Sequence, residues 1–383
     1  MPMNREFETA LSVSGDMPRI CIVGPLPPPS GGMAAQCQQL VRFLRLEGHD
    51  VELVQNNAPI WPLWITRVPV LRAGFRLTPY VWRLWKAAGR AQVMHVMANS
   101  GWAWHVFVAP AVVIARIRAT AVIINYHGGS ADDFFAHAPG YVLRMLDRVS
   151  LRVVPSRFLL RVFSKYGLPV EVLPNAIDLS RFKPVAVRAF GRAPHLIVTR
   201  NLEPIYDIAM AIRAFSRIQE TFSQAQLTIA GTGSERVRLQ ALAAELGLTD
   251  CVRFSGRIDN ADIQQLYASA DCMLNPSTVD NMPVSILEAF ACGVPVVSTC
   301  AGGIPDMLDD GVTGFLVPIG DDAAMAEKVL SILQSPPLAD SLRQAGLAEA
   351  EKYGWAMVRM QWLSAYRRAA AMDHVRTERT IRG

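Results

Sequence analysis

The sequence has few charged residues and lacks the features of several common classes of protein. Only 19% of its 383 residues are Asp, Glu, Lys or Arg, and the net charge is a modest +5. The basic residues are dispersed, and no basic block interleaves with aromatic residues, which argues against nucleic acid as a partner. An anionic substrate or a membrane surface fits this charge better.

Disulfide, zinc, export and membrane-spanning patterns are also missing. There is no CxxC pair among the six cysteines, which mostly fall in predicted strands or helices: Cys21, Cys37, Cys251, Cys272, Cys292 and Cys300. We therefore expect reduced core thiols in a cytoplasmic protein. Residues 1–19 lack the apolar centre of an export signal. The longest apolar run, Trp102–Ala115, is too short to span a bilayer and predicts a buried helix.

Apolar residues, by contrast, are plentiful and predict a sizeable core. They make up 51% of a chain that is too long for one ordinary core, so two domains are expected. A mixed Pro/Gly/Arg stretch at 183–195 suits a connection between them. We divide the chain into residues 1–186, residues 187–354, and a last segment, 355–383, of one helix to Ala371 and a frayed tail from Asp373.

Two motifs of the first domain suggest a ligand site. The strand Arg19–Gly24 leads through Gly31 and Gly32 into a helix over Met33–Leu46, an order that brings backbone N–H groups against a phosphate. A plain tight turn is the alternative. His127 follows the strand Ala121–Asn125 and precedes two glycines, at the carboxyl end of a strand where ligands bind in open α/β sheets.

The stretch from Asn275 to Pro318 carries the strongest signal. It predicts a helix with Pro283 in its first turn and Gly293 at its end, then a strand over Val294–Val297. Two carboxylates, Asp280 and Glu288, flank the start of this helix. Acidic groups beside a cluster of amides suit sugar and ribose hydroxyls better than they suit phosphate.

These residues resemble the donor-sugar motif of family 4 retaining glycosyltransferases. In that family two Glu lie eight positions apart, where this chain has Asp280 and Glu288. The segments ACGVPVVST, AGGIP and GVTGFLV follow at matching spacings. The resemblance covers most of the chain and is strongest from Val153 to Pro318. It implies an α/β protein with the GT-B fold, in which two Rossmann-like domains face each other across a cleft. The last helix then crosses back to the first domain.

The resemblance also implies roles for individual residues. Arg200 and the amides of Gly31 and Gly32 would hold the donor diphosphate, Glu288 the ribose, and Asp280 and His127 the sugar. Further positions are expected to line the donor site: Gly231, Gly233, Arg257, Ile258, Met282, Pro283 and Val284. Of these, Arg257 and Ile258 are expected beside the base, and the backbone near Met282–Val284 beside the sugar. The family needs no metal ion, and we expect no cofactor beyond a UDP- or GDP-linked sugar donor.

One position departs from the family pattern. The family carries a Lys one turn after the matched Arg, and here that place is taken by Ile205 or Tyr206. A departing diphosphate gathers negative charge, so the loss removes a stabilising cation. Another basic residue could substitute, the Tyr206 hydroxyl could donate instead, or turnover could be slow.

An aromatic and basic segment, Pro59–Arg90, has two interpretations. Its tryptophans, tyrosine and basic residues suit an amphipathic helix at a membrane interface: Trp61, Trp64, Tyr80, Trp82, Trp85, Arg67, Arg72, Arg76, Arg83, Lys86 and Arg90. A helix pair with aromatics inward and arginines in water fits equally well.

The sequence therefore predicts a metal-independent, retaining hexosyltransferase. It would act on a glycan or lipid-linked acceptor, in the cytoplasm or at the cytoplasmic face of the membrane. A sugar phosphorylase and a sugar-nucleotide epimerase are rival enzymes of the same architecture. A degenerate, non-catalytic partner that binds glycan or nucleotide is the alternative from another class.

Overall fold

A computed structural model describes residues 17–27, 31–58, 69–184, 193–258 and 262–382, and it places the side chains of all these except 69–76 and 373–382. The described residues form two parallel six-stranded sheets, each covered by helices. We call the units built on them the first and second domain. The predicted α/β class with two Rossmann-like units is confirmed.

The strands are short and mostly buried on both faces, as expected for parallel sheets between helices. Their bounds are β1 Ile20–Gly24, β2 Val51–Gln55, β3 Val93–Ala98, β4 Ala121–Tyr126, β5 Leu151–Val154, β6 Glu171–Val172, β7 His195–Val198, β8 Gln226–Ala230, β9 Val252–Gly256, β10 Cys272–Asn275, β11 Val296–Thr299 and β12 Phe315–Val317.

The helices mostly connect successive strands. Their bounds are α1 Gly32–Leu46, α2 Pro69–Ala88, α3 Ala109–Ile117, α4 Ala131–His137, α5 Gly140–Asp147, α6 Arg157–Lys165, α7 Ile208–Thr221, α8 Arg236–Glu245, α9 Ile263–Ser269, α10 Val284–Ala291, α11 Asp322–Gln334, α12 Pro336–Lys352 and α13 Trp355–Arg382.

The strand order places a ligand crevice in each domain. The first sheet runs β2-β1-β3-β4-β5-β6, and the second runs β12-β11-β10-β7-β8-β9. The order reverses beside β1 in one sheet and beside β7 in the other, and such switch points are where open α/β sheets bind ligands. Gly31 and Gly32 follow β1, and Arg200 follows β7. The chain thus brings both motifs to switch points.

The last helix, α13, returns to the first domain. Its Trp355 stacks on Phe43 of α1 with ring centroids 5.0 Å apart. Its Tyr366 hydroxyl lies 2.8 Å from Nδ1 of His95, a fully buried residue of β3. The helix continues through Arg382, past the expected end at Ala371. The sequence from Trp355 to Arg382 contains no Gly or Pro that would stop it.

Several local expectations differ from the structure. Pro283 is the N-cap of α10, with extended ψ of 114°, instead of a residue within its first turn. The strand expected at Val294–Val297 is β11, which begins at Val296 because positive φ at Gly293 ends the helix and two residues then lead into the sheet. All six cysteines are free, and four are buried, while Cys251 is partly exposed and Cys300 exposed.

The apolar run Trp102–Ala115 forms a π-helical turn over Trp104–Val108 followed by α3. Trp104 and Val108 are buried as expected, while Trp102 before the turn is exposed. Among the described residues, no helix combines the length and the apolar character needed to cross a bilayer.

Candidate functional site

A cavity of about 160 Å³ lies where the two domains face each other. We call it the interdomain cavity. Eight of the residues predicted from the sequence line it: Gly31, Gly32, Arg200, Gly231, Arg257, Ile258, Val284 and Glu288. The first two come from the start of α1, the next four follow β7, β8 and β9, and Val284 and Glu288 belong to α10. The cavity therefore joins groups from five separate segments.

Gly31 and Gly32 offer an open helix N-terminus to this cavity. Gly31 is the extended N-cap of α1, and no side chain caps the helix. A Cβ atom added at either glycine would meet nothing within 4 Å. The first amides of a helix have no intrahelical acceptor, and the helix dipole favours negative charge there. This end of α1 is thus suited to an anion.

Arg200 is a nearly buried cation on the opposite wall. Its side chain is 11% exposed and forms an ion pair with Asp280. The guanidinium stacks on Tyr206, with its central carbon 4.4 Å from the ring centroid. Burial lowers the pKa of Arg200, although this residue type stays charged in proteins. Among the described residues its buried Nε has no hydrogen-bond partner, so it can still receive an anion.

Glu288 lies in the first turns of α10 and is held by a buried tyrosine. The Tyr267 hydroxyl donates to Glu288 Oε2 at 2.9 Å and lies 2.9 Å from the Thr199 hydroxyl. Burial raises the pKa of Glu288 to about 7, while the bond from Tyr267 acts in the opposite direction. The carboxyl group is therefore fixed in place with one oxygen left for another donor.

The loop that carries Asp280 is shaped by a glycine pair. Gly302 has φ of +54°, and a Cβ atom there would lie 1.9 Å from the Asp280 carbonyl oxygen. Gly303 donates its N–H to the same oxygen at 3.1 Å. The AGGIP motif is thus required for close packing against this loop, because any side chain would push Asp280 away from Arg200.

His127 follows β4 and is not among the residues lining the interdomain cavity. Its buried Nε2 has no hydrogen-bond partner among the described residues. Burial lowers the pKa of His127 to about 4, so the ring is neutral near pH 7. A Cβ atom on Gly129, two residues later, would come within 3.0 Å of Val279 and 3.9 Å of the Asp280 backbone. The loop after β4 thus touches the loop that holds Asp280.

Comparisons with known proteins identify the family. The family described as Glycosyltransferase Family 4 matches residues 30–181, and Glycosyl transferases group 1 matches residues 182–348. Together the two matches run without a gap from one domain into the other. The chain belongs to the family 4 glycosyltransferases.

The aligned regions of individual relatives cover different shares of this chain. The phosphatidyl-myo-inositol mannosyltransferase of Mycobacterium leprae is 24% identical over 89% of this chain and 94% of its own. The D-inositol 3-phosphate glycosyltransferase of Actinosynnema mirum is 31% identical over 52% of each chain.

Solved structures share the transferase's GT-B fold. Sucrose-phosphate synthase from Thermosynechococcus elongatus matches with a TM-score of 0.72 and 20% identity, over 92% of this chain and 99% of the other. Anabaena HepE, solved with UDP and glucose, matches with a TM-score of 0.70 and 19% identity, over 91% and 99%. The expected fold of two facing Rossmann-like domains is thereby confirmed.

Three predicted positions of the transferase have structural contacts away from the cavity lining. A Cβ atom on Gly233 would lie 2.3 Å from the Leu202 carbonyl oxygen, so this glycine allows tight packing of the β8 turn. The Met282 carbonyl accepts a hydrogen bond from Asn175 Nδ2 at 3.2 Å, which links the second domain to the first. Pro283 precedes α10 as its N-cap. Their predicted contacts with the donor remain predictions.

Sequence reasoning missed the residues that hold the charged groups in place. Tyr267 is fully buried on a short amphipathic helix, where an aromatic residue reads as core. Thr199 and Ser277 lie at or beyond strand ends, and the Ser277 hydroxyl is 3.5 Å from Arg200. The sequence could have indicated these residues only through their positions, since all three lie close to the switch point of the second sheet.

Proposed function

We propose that this transferase moves a sugar from a UDP- or GDP-linked donor to a hydroxyl group of a glycan or lipid-linked acceptor, with retention at the anomeric carbon. One observation carries the proposal. The interdomain cavity brings the cation Arg200, the carboxyl group of Glu288 and the open amides of Gly31 and Gly32 to one place. This set matches a diphosphate with a ribose attached.

The comparisons support the donor and acceptor classes. HepE has been solved with UDP and with UDP-glucose. The mannosyltransferase relative is named for a phosphatidylinositol acceptor, and an Escherichia coli relative, 30% identical over 44% of each chain, is named as a putative colanic acid biosynthesis glycosyltransferase. We propose that the present chain acts likewise in the synthesis of a glycolipid or a polysaccharide.

The predicted site residues have separate roles in binding the donor. Glu288 accepts hydrogen bonds from the ribose hydroxyls, and the amides at Gly31 and Gly32 bind a phosphate oxygen together with Arg200. Asp280 and the neutral His127 hold the sugar from the two domains. The backbone next to Gly231, Arg257 and Ile258 contacts the base, and the backbone near Val284 contacts the sugar.

We propose one transfer step for this placement of groups. The bond between the anomeric carbon and the diphosphate oxygen breaks, and the acceptor oxygen forms its bond on the same face of the sugar. The acceptor proton passes to the departing diphosphate oxygen. Arg200 and the N-terminus of α1 stabilise the charge that gathers on the leaving group.

We propose that no divalent ion takes part. Two arginines and a helix N-terminus line the cavity, and such groups can supply the positive charge that a bound metal would supply. Within the described ranges, no cluster of three or more His, Cys, Asp or Glu side chains could hold a metal ion.

Release of nucleoside diphosphate tests the function. Wild type and Arg200→Ala are incubated with common UDP and GDP sugars, with Arg217→Ala as a matched control, since Arg217 is exposed and pairs with Asp322. Wild type and the control should release the diphosphate slowly by transfer to water, and Arg200→Ala should lose at least about 100-fold. Absence of release from every donor would favour a non-catalytic binding partner.

Contact with a membrane surface is a further part of the proposal. On α2 an apolar hollow of about 470 Å³ is lined by Leu77, Thr78, Val81, Trp82 and Trp85. Trp82 is 57% exposed and Trp85 42% exposed. Lys86 lies 3.8 Å from the Trp82 ring centroid, and Arg118 lies 5.0 Å from that of Trp85. Exposed indole rings beside cations suit the interface between acyl chains and anionic headgroups.

The structure describes only part of the segment predicted for membrane contact. Trp61, Trp64 and Arg67 lie outside the described residues, as do the side chains of Arg72 and Arg76. Tyr80 is buried, and its hydroxyl donates to the Phe107 carbonyl in the π-helical turn before α3, so this side of α2 packs inward. The buried Tyr80 fits the interpretation of an inward-facing helix pair, and the exposed Trp82 and Trp85 support the proposed membrane contact.

Sedimentation with vesicles containing anionic lipid tests this contact. Trp82→Ser with Trp85→Ser should abolish binding, while Val237→Ser, an exposed apolar residue of the second domain, should not change it. Equal binding by wild type and the double variant would contradict membrane contact through α2.

A further inference from the structure

The charge of the interdomain cavity does not match a diphosphate if Arg200 acts alone. Arg200 forms an ion pair with Asp280, and both side chains are nearly buried. The positive charge of Arg200 is therefore largely balanced within the protein. A diphosphate brings more than one negative charge, and a buried anion needs compensating cations. A second positive side chain on the cavity wall is needed.

Arg257 is the other cation among the described residues that line this cavity. It follows β9 directly, and its side chain is exposed at the cavity rim. The preceding Gly256 has φ of +69°, so the chain turns sharply at the carboxyl end of the strand. The turn presents the arginine at the same sheet edge as Arg200.

The order of the strands determines how the two arginines can act together. Arg200 follows β7 and Arg257 follows β9, with β8 between them. Adjacent strands are about 4.8 Å apart, so the two backbones lie roughly 10 Å from each other. Gly231 follows β8 directly and lines the cavity between them, where a Cβ atom would lie 2.0 Å from the Arg200 carbonyl oxygen. A ligand above Gly231 can be reached by both guanidinium groups.

From this arrangement we infer that the Arg257 side chain binds the donor diphosphate opposite Arg200, across Gly231. This inference rests on the proposed function and changes one part of it. The backbone at Arg257 and Ile258 still contacts the base, while the guanidinium extends to the phosphates. Arg257 then supplies the cation that the residues at positions 205 and 206 do not. An arginine can hold two phosphate oxygens at once, which suits a diphosphate.

The test compares a nucleoside with its diphosphate. Dissociation constants are measured for UDP by titration calorimetry and for uridine by ligand-observed NMR, or for GDP and guanosine if the wild type prefers guanine. Arg257→Gln should weaken UDP binding about 10- to 100-fold and leave uridine binding unchanged, because only the diphosphate has phosphate oxygens. Arg257→Lys keeps the charge and should lose less than Arg257→Gln.

A control on the same strand separates a local effect from a general change in charge. Arg253 is exposed on β9, away from the cavity lining, so Arg253→Gln removes the same charge and should not change UDP binding. Adding Tyr206→Lys to Arg257→Gln should restore part of the lost affinity, because Tyr206 lines the same cavity.

Two outcomes would overturn the inference while the proposed function stands. One is an equal loss of UDP and uridine binding in Arg257→Gln, which would make the side chain a contact of the base. The other is no loss of either. Failure of the wild type to bind any of these nucleotides would contradict the proposed function itself, and the inference with it.

Discussion

The stability of the Glu288→Gln variant, measured relative to wild type, should be greater at alkaline pH than at acidic pH. The pKa of Glu288 rises from 4.5 to about 7 on burial in the folded chain. Between those two values the unfolded chain has released its proton while the folded chain still holds it. The stability of the wild type therefore falls as pH rises, and the loss is complete above the folded pKa.

The size of this effect follows from the shift. One pKa unit corresponds to about 1.4 kcal/mol, so between pH 5 and pH 8 the carboxyl group should lower the free energy of unfolding by about 2.5 kcal/mol. Glutamine has nearly the same shape, can accept the bond from Tyr267, and does not ionise. From pH 5 to pH 8, the free energy of unfolding of Glu288→Gln should therefore rise by about this amount relative to that of wild type.

Urea unfolding of both proteins at the two pH values measures the difference. Glu327→Gln is the matched control, because it makes the same change in a side chain that is 75% exposed and lies away from the cavity lining. A Glu288→Gln difference that is the same at pH 5 and pH 8 would refute the reasoning. If Glu288 also binds the ribose, the more stable variant should bind UDP or GDP less well, as happens when a site residue is buried at a cost in stability.

Three further predictions follow from the site. Asp280→Asn removes the partner of the buried Arg200 and should cost about 3 kcal/mol in urea unfolding; a loss below about 1 kcal/mol would contradict a buried pair. Gly302→Ala should destabilise the chain more than Gly311→Ala, because both glycines have positive φ but only Gly302 has a backbone oxygen where the Cβ would lie; equal losses would contradict the close packing. Transfer should proceed unchanged in EDTA, and a rate restored only by Mg²⁺ or Mn²⁺ would exclude the metal-free proposal.

The fold was predictable because its signals are local in the sequence. A strand, a glycine turn and a helix follow one another around Gly31 and again around Gly231, while a helix, a glycine and a strand follow one another around Gly293. Each such unit determines its own backbone direction, and right-handed connections then lead to parallel sheets. The cavity residues follow for the same reason, since they lie at strand ends that parallel sheets bring to one edge.

The contacts that balance the charge of Arg200 and fix the carboxyl group of Glu288 could not be predicted in the same way. The Arg200–Asp280 pair and the Tyr267–Glu288 bond each join residues from separate segments of the second domain. Only the packing of these segments against one another brings the residues together. Arg200 was expected to hold the donor diphosphate, and in the structure it also forms an ion pair with the Asp280 carboxylate. The raised pKa of Glu288 likewise depends on burial, which a local pattern does not reveal.

The length of the last helix shows another limit. The polar residues from Asp373 onward predicted a frayed tail, yet α13 runs through Arg382. Composition alone favoured fraying, while the absence of any Gly or Pro allowed the helix to continue.

Backbone hydrogen exchange in the presence of UDP or GDP tests the central claim most directly. The claim is that both domains bind one nucleotide at once. The nucleotide lies in the cavity that has Gly31 and Gly32 on one side and Arg200 and Glu288 on the other. The account predicts slower exchange at the start of α1 in the first domain, and at residues 199–206 and 284–288 in the second. Slower exchange confined to one domain, or located away from these segments, would contradict it.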